Sequence, residues 1–148
     1  RRAGDPGTPQ PSSLRGMIVV LDTNVLLQAR AAGHEYHPIL QAWLNQRFSL
    51  AMSAEIMLEY EEVITERAGA SRWAILEKLF LISSNVLRVD PTFRFHLVSN
   101  DVDDNKFTDC AVVASADCLV TDDHHFETAR SSGHRFQVVS PRELMKLL

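Results

Sequence analysis

Nowhere does this chain hold an apolar run approaching the roughly 20 residues that a membrane-spanning helix needs. Its first residues contain no apolar stretch of the kind found in secretory signals. Cysteine is scarce, with only Cys110 and Cys118. A small secreted scaffold usually carries more, so a reduced, cytoplasmic protein is expected. The two cysteines do not have a zinc-ligand spacing. His34 and His37 in "HEYH" stand three apart, not the four of the zinc helix motif, and His124-His125 reads as a surface or loop pair. A glycine-rich phosphate loop is absent, which leaves nucleotide hydrolysis without support. A basic surplus is missing as well. The net charge is −4, and because residues 1–16 hold Arg1, Arg2, Arg15 and Asp5, residues 17–148 carry about −6. Nucleic-acid binders normally show a basic face. Such a function would here need local basic residues or a dimer groove, with the acids neutralised by metal.

What is present is an alternation of short apolar strands with helices. The opening "RRAGDPGTPQPSSLRG" is rich in Pro, Gly and Ser and is expected to be a disordered extension, or a remnant of cloning, over residues 1–16. Residues 17–148 are of a length for one domain. "MIVVL" reads as a buried strand, short and β-branched. Asp22, Thr23 and Asn24 then offer capping side chains to a helix through about Ala31. "HPILQAWLNQ" is helical, "FSLAM" a second strand, and Ser53 caps a helix that Gly69 stops near Ala68. Ser71 is positioned to cap "RWAILEKLFLI", and "VLRV" is a third strand ended by Asp90-Pro91. Residues 92–102 are not readable. "DDNKFTDCAVVASA" forms a helix, "CLVT" a fourth strand, "DHHFETARSS" a short helix, "FQVVS" a fifth strand and "PRELMKLL" a closing helix with Pro in its first turn. Strands separated by helices imply a three-layer α/β/α fold around a five-stranded parallel sheet.

In such sheets ligands bind beyond the carboxyl ends of the strands. Asp22 follows strand one, and Asp123 follows strand four by two residues. Asp104 opens the helix before strand four, and Glu59 lies in the second turn of the helix after strand two. Helical spacing does not by itself separate Glu59 from Glu61, and Glu55 is nearer the helix start. Each acid also has an ordinary explanation, as a cap or as a charge favoured at a helix N-terminus. Four acids at matching ends of successive βα units are harder to assign to capping. Carboxylates converging on one point repel one another unless a cation sits among them, and hard cations such as Mg²⁺ and Mn²⁺ take oxygen ligands while leaving room for water and phosphate. The pattern suggests metal-assisted phosphodiester chemistry.

Taken together, "VVLDTNVLL", "LEYEEVI" and "DDNKFTDCAVVASADCLVTDDHHF" resemble the PIN domain family of metal-dependent ribonucleases. The resemblance covers residues 17–148 and looks like the bacterial branch of toxins from toxin–antitoxin pairs. It marks Glu59, in the Glu-Tyr pair, as the second acid. It implies that Asp22, Glu59, Asp104 and Asp123 are the catalytic residues and bind one or two Mg²⁺ or Mn²⁺ ions, with Asn24 and Thr121 orienting carboxylates or water. The doublets Asp103-Asp104 and Asp122-Asp123 leave a one-residue ambiguity, and spacing to Ala111 and Phe126 favours the second acid of each. Asp109 is an extra acid that faces either the site or solvent. The resemblance further implies an RNA substrate, a homodimer and a cognate antitoxin.

The expected chemistry is hydrolysis of an RNA phosphodiester by metal-activated water. Asp22 and Asp104 are the first candidates for direct metal contact, with Glu59 and Asp123 acting directly or through water. Arg30, Arg47, Lys106 and Arg130 are candidate substrate contacts that sequence cannot rank. Two rivals stand beside this reading. One is a phosphoacceptor or phosphatase with Asp22 as nucleophile; against it, "VVSPRE" after strand five supplies no lysine. The other is a non-catalytic module that binds RNA or protein, against which the retention of all four acids counts.

Overall fold

The computed structural model describes residues 16–92, 105–123, 126 and 135–148. Asp103, Asp104, His124-His125, Arg130, nearly all of the N-terminal extension and most of "DHHFETARSS" therefore lie outside the described residues. The chain runs β1 (Ile18–Leu21), α1 (Thr23–Ala29), α2 (His37–Leu44), β2 (Ser49–Met52), α3 (Ala54–Ala68), α4 (Ala70–Ile82), β3 (Val86–Arg88), α5 (Asn105–Val113), β4 (Cys118–Val120), β5 (Gln137–Val139) and α6 (Pro141–Leu147). All strand pairings are parallel, in the order β3-β2-β1-β4-β5.

That order determines where a ligand can sit. From β1 the chain steps outward to β2 and β3, then returns across the sheet to β4 and β5. Right-handed crossovers consequently assign α1–α4 to one face and α5 to the other. The direction of winding reverses between β1 and β4, and a reversal of this kind opens a crevice beyond the strand ends. Val19, Val20 and Leu21 of β1 and Leu119 and Val120 of β4 are all buried. Central strands covered on both faces are apolar at successive positions, not alternate ones.

Packing around α3 and α4 is aromatic. Trp43, Trp73 and Tyr60 all lie against Phe80, with ring centroids 5.5, 6.2 and 6.2 Å away. Asn85, just before β3, donates from Nδ2 to the carbonyls of Trp43 (2.7 Å) and Phe48 (2.9 Å), while Trp43 Nε1 donates back to the Asn85 carbonyl (3.0 Å). These bonds satisfy buried polar groups where α2 meets the sheet edge.

Three local expectations change. Ser71 does not cap α4. Gly69, at φ 105°, both ends α3 and begins α4, because only a residue without Cβ takes that backbone readily. α5 stops at Val113, short of the expected Ala116, and Ser115 follows at φ 53°. α1 ends at Ala29, and its N-cap Asp22 makes no side-chain cap, since the Asp22 and Thr23 side chains are engaged elsewhere. Ser53 does cap α3, accepting from the Ile56 amide at 3.2 Å.

Candidate functional site

Asp22 is the hinge of the site. Leu21 pairs with Val120 in register, so the next residues, Asp22 and Thr121, leave the sheet side by side. The Asp22 amide still donates to the Val120 carbonyl at 3.0 Å. Thr121 Oγ1 then donates to Asp22 Oδ2 at 2.7 Å and accepts from the Asp123 amide at 2.9 Å. One hydroxyl thus joins the carboxylate after β1 to the loop after β4, at the point where the winding reverses.

Asp22 is only 7% exposed. Burial raises its pKa to about 6, opposed by the hydrogen bonds from the Thr121 side chain and the Thr23 backbone and reinforced by the charges of Asp123 and Glu59. A carboxyl held in this way resists ionisation until a positive charge arrives. Asp22, Asn24, Gln28, Asp122 and Asp123 line one open cavity of about 290 Å³. Another cavity, at the amino ends of β4 and β5 beside Asp117 and Arg135, is remote from these acids.

Burial distinguishes Glu59 from the neighbouring glutamates of α3. Ile56, Tyr60 and Ile64 form the buried stripe, Glu59 beside it is half-buried, and Glu55, Glu61 and Glu62 are exposed. Thr23 Oγ1 donates to Glu59 Oε2, and Lys106 Nζ lies 2.7 Å from Glu59 Oε1. Glu59 is coupled to Asp22 by charge but does not line the cavity holding Asp22 and Asp123. In the second doublet, Asp122 Oδ2 accepts from the Tyr36 hydroxyl at 2.9 Å. Asp104 lies outside the described residues. Among the described residues, no three of His, Cys, Asp and Glu form a ready metal cage. The donor set nonetheless fits a hard divalent cation: carboxylate and amide oxygens, with two like charges already raising the pKa of a third.

Other candidates are placed as follows. Asp109 is 1% exposed, which excludes the solvent-facing alternative. Arg47 donates to the terminal Leu148 carbonyl at 3.3 Å, and Arg30 borders Leu40 and Leu76. Lys106 is the one of these cations that the described structure brings to an acid of the site. Burial raises the Cys110 thiol to about 12 and the Cys118 thiol to about 11, with Asp109 and Asp117 adding smaller effects, so neither is a reactive thiolate.

Two supports went unread in the sequence. Tyr60, fully buried, donates to the Leu21 carbonyl at 2.6 Å and fixes the peptide that carries Asp22. Its i, i+4 relation to Ile56 and Ile64 signals burial, and a buried phenol requires a partner. Tyr60→Phe leaves that carbonyl unpaired and is expected to cost about 1–3 kcal/mol, measured by urea unfolding. An unchanged midpoint would mean that the bond contributes nothing. Tyr36 is the other support, and nothing in its local sequence points to Asp122, 86 residues away.

The sequence model of the PIN domain matches residues 18–125. No curated protein sequence matches the chain. Solved structures share its fold. VapBC2 from Rickettsia felis, bound to a DNA fragment from its promoter, aligns with a TM-score of 0.58 at 16% identity, covering 84% of this chain and 98% of that one. VapC20 from Mycobacterium tuberculosis, a sarcin-ricin loop cleaving toxin, aligns at 0.55 and 15% identity, covering 75% and 94%. FitAcB from Neisseria gonorrhoeae aligns at 0.53 and 16% identity, covering 84% and 98%.

Proposed function

The chain belongs to the PIN domain family, and on that premise we propose that residues 17–148 form a divalent-metal-dependent endoribonuclease, the toxin of a toxin–antitoxin pair. The observation that carries the proposal is the Asp22 carboxylate at the β1–β4 reversal, its ionisation opposed chiefly by burial and further by the charges of Asp123 and Glu59. A cleaving toxin among the structural neighbours supports the same reading.

Asp22, Asp104 and Asp123 would hold Mg²⁺ or Mn²⁺, with Glu59 acting directly or through water. When bound, the ion supplies a hydroxide near neutral pH and an electrophile for the scissile phosphate. The chain's own groups set the stage. Thr121 fixes the Asp22 carboxylate, and through the Asp123 amide it holds the loop that lines the cavity. Asn24, on the same wall, presents an amide to a phosphate oxygen or water. Tyr36 anchors Asp122 and restrains the far side of that loop.

An antitoxin that covers the acidic cavity, a homodimer whose second copy adds basic surface, and a cytoplasmic location complete the proposal. Among the described residues, no helix is long and apolar enough to cross a membrane.

The test is digestion of RNA with Mn²⁺ or Mg²⁺, with Asp104→Asn as control. Cleavage is expected with either ion, abolition by chelator, and a loss of at least about 100-fold in the variant. Intact RNA despite bound Mn²⁺ would replace the enzyme with a binding module.

A further inference from the structure

Glu59 and Lys106 meet from different helices. Glu59 stands on α3 and Lys106 in the first turn of α5, and the two helices, from opposite faces of the sheet, come into contact. Their side chains retain only 24% and 15% exposure, and Nζ lies 2.7 Å from Oε1. The other carboxylate oxygen, Oε2, accepts from Thr23 Oγ1. Both oxygens of Glu59 are therefore already engaged, one by a full positive charge. The Lys106 ammonium also lies 5.8 Å from the Phe107 ring centroid. In the open cavity, by contrast, Asp22 accepts from the Thr121 hydroxyl and Asp122 from the Tyr36 hydroxyl. Beside Glu59, then, a cation is built into the fold.

We infer that Lys106 occupies, as an ammonium ion, the place a second divalent cation would take beside Glu59, so that the centre holds one metal ion. A divalent ion brought to Glu59 would have to displace the ammonium or sit against it, and like charges at such separations repel strongly when half-buried. Lys106 has three donors, of which Glu59 uses one, so the others are available to a phosphate oxygen of the bound strand. In a chain of net charge −4, a cation fixed beside the acids supplies local attraction that the overall composition does not. This inference rests on the ribonuclease reading and specifies its metal count and one phosphate contact.

The experiment is Mn²⁺ titration of the full chain by calorimetry and electron paramagnetic resonance, alongside RNA cleavage. Wild type is expected to bind one ion. Lys106→Met and Lys106→Gln are expected to bind two, with the KM for RNA raised about tenfold, and Lys106→Arg is expected to keep a count of one. Running two neutral variants leaves the test intact if either fails to fold. Two ions in a wild-type protein that still cuts RNA would overturn the inference and leave the nuclease standing. A count of one in wild type and in both neutral variants would also overturn it. A wild type that binds no Mn²⁺ would overturn both the inference and the metal-dependent nuclease.

Discussion

Asp22→Asn is expected to reduce RNA cleavage on the order of 10³-fold, a loss of about 4 kcal/mol in transition-state stabilisation, while leaving the protein folded. Asn has nearly the shape of Asp and keeps an oxygen to accept the Thr121 hydroxyl, now 2.7 Å from Oδ2. What it removes is a negative charge at a site that is 7% exposed and faces Asp123 and Glu59. That charge is unfavourable in the metal-free fold. Moving a carboxyl from 3.8 to about 6 corresponds to an upper limit of about 3 kcal/mol. The variant, in chelator at pH 8, should accordingly be as stable as wild type or more stable by up to that amount. Loss of activity combined with unchanged or raised stability marks a group kept for chemistry at a cost to the fold. The measurements are a gel assay of RNA cleavage and urea unfolding of the same preparations. Full activity in the variant would remove Asp22 from the mechanism.

The sheet was legible because its strands are apolar at consecutive positions and its punctuation is strong. "MIVVL" yields β1, and the Asp-Thr-Asn that follows marks its carboxyl end. Strand order was not legible, since parallel neighbours are chosen by three-dimensional packing, and the reversal between β1 and β4 appears only in the pairings. Asp22 and Thr121 converge because they immediately follow strands paired in register, Asp123 lies two residues beyond Thr121, and strand ends can be read from sequence. Glu59 was harder, because α3 carries five glutamates and spacing left two of them equivalent. On either side of the buried Tyr60, Glu59 is half-buried and Glu61 exposed. Capping was read too literally at α1: Thr23 spends its hydroxyl on Glu59, 36 residues away, and Asp22 spends its carboxylate on Thr121. Helix-capping preferences describe local competition for a donor, and a distant partner wins where the fold supplies one. Gly69 shows the reverse. A stop signal was recognised, but the residue also starts α4, because a single positive-φ residue can serve two helices.

Metal should reverse the pH dependence that Asp22 imposes. In the chelated protein its carboxyl has a pKa raised from 3.8 to about 6, so the folded state holds its proton more tightly than the unfolded chain does. Stability from this group is therefore greatest below about pH 4, declines as pH rises, and reaches its full penalty above about pH 6. The difference between wild type and Asp22→Asn isolates this contribution from other titrating groups. It is expected to be small at pH 4 and largest at pH 7 and above, with the variant the more stable. Mn²⁺ binds the ionised form and competes with the proton. At pH 7.5 and free Mn²⁺ about 100 times Kd, wild type should gain about 2.7 kcal/mol, which for a domain of this size raises Tm by roughly 5–15 °C. At pH 5 the gain should shrink, because the ion must first displace the proton. In Asp22→Asn it should nearly vanish at both values. Thermal unfolding in chelator and in Mn²⁺, at pH 5 and 7.5, reads all four conditions. The decisive comparison is the order of the two proteins: Asp22→Asn above wild type without metal and below it with metal. Such a crossing requires that the carboxylate which destabilises the empty fold is also a ligand of the ion. A Mn²⁺ shift of equal size in both proteins would place the ion elsewhere and leave the buried charge of Asp22 without a purpose in catalysis.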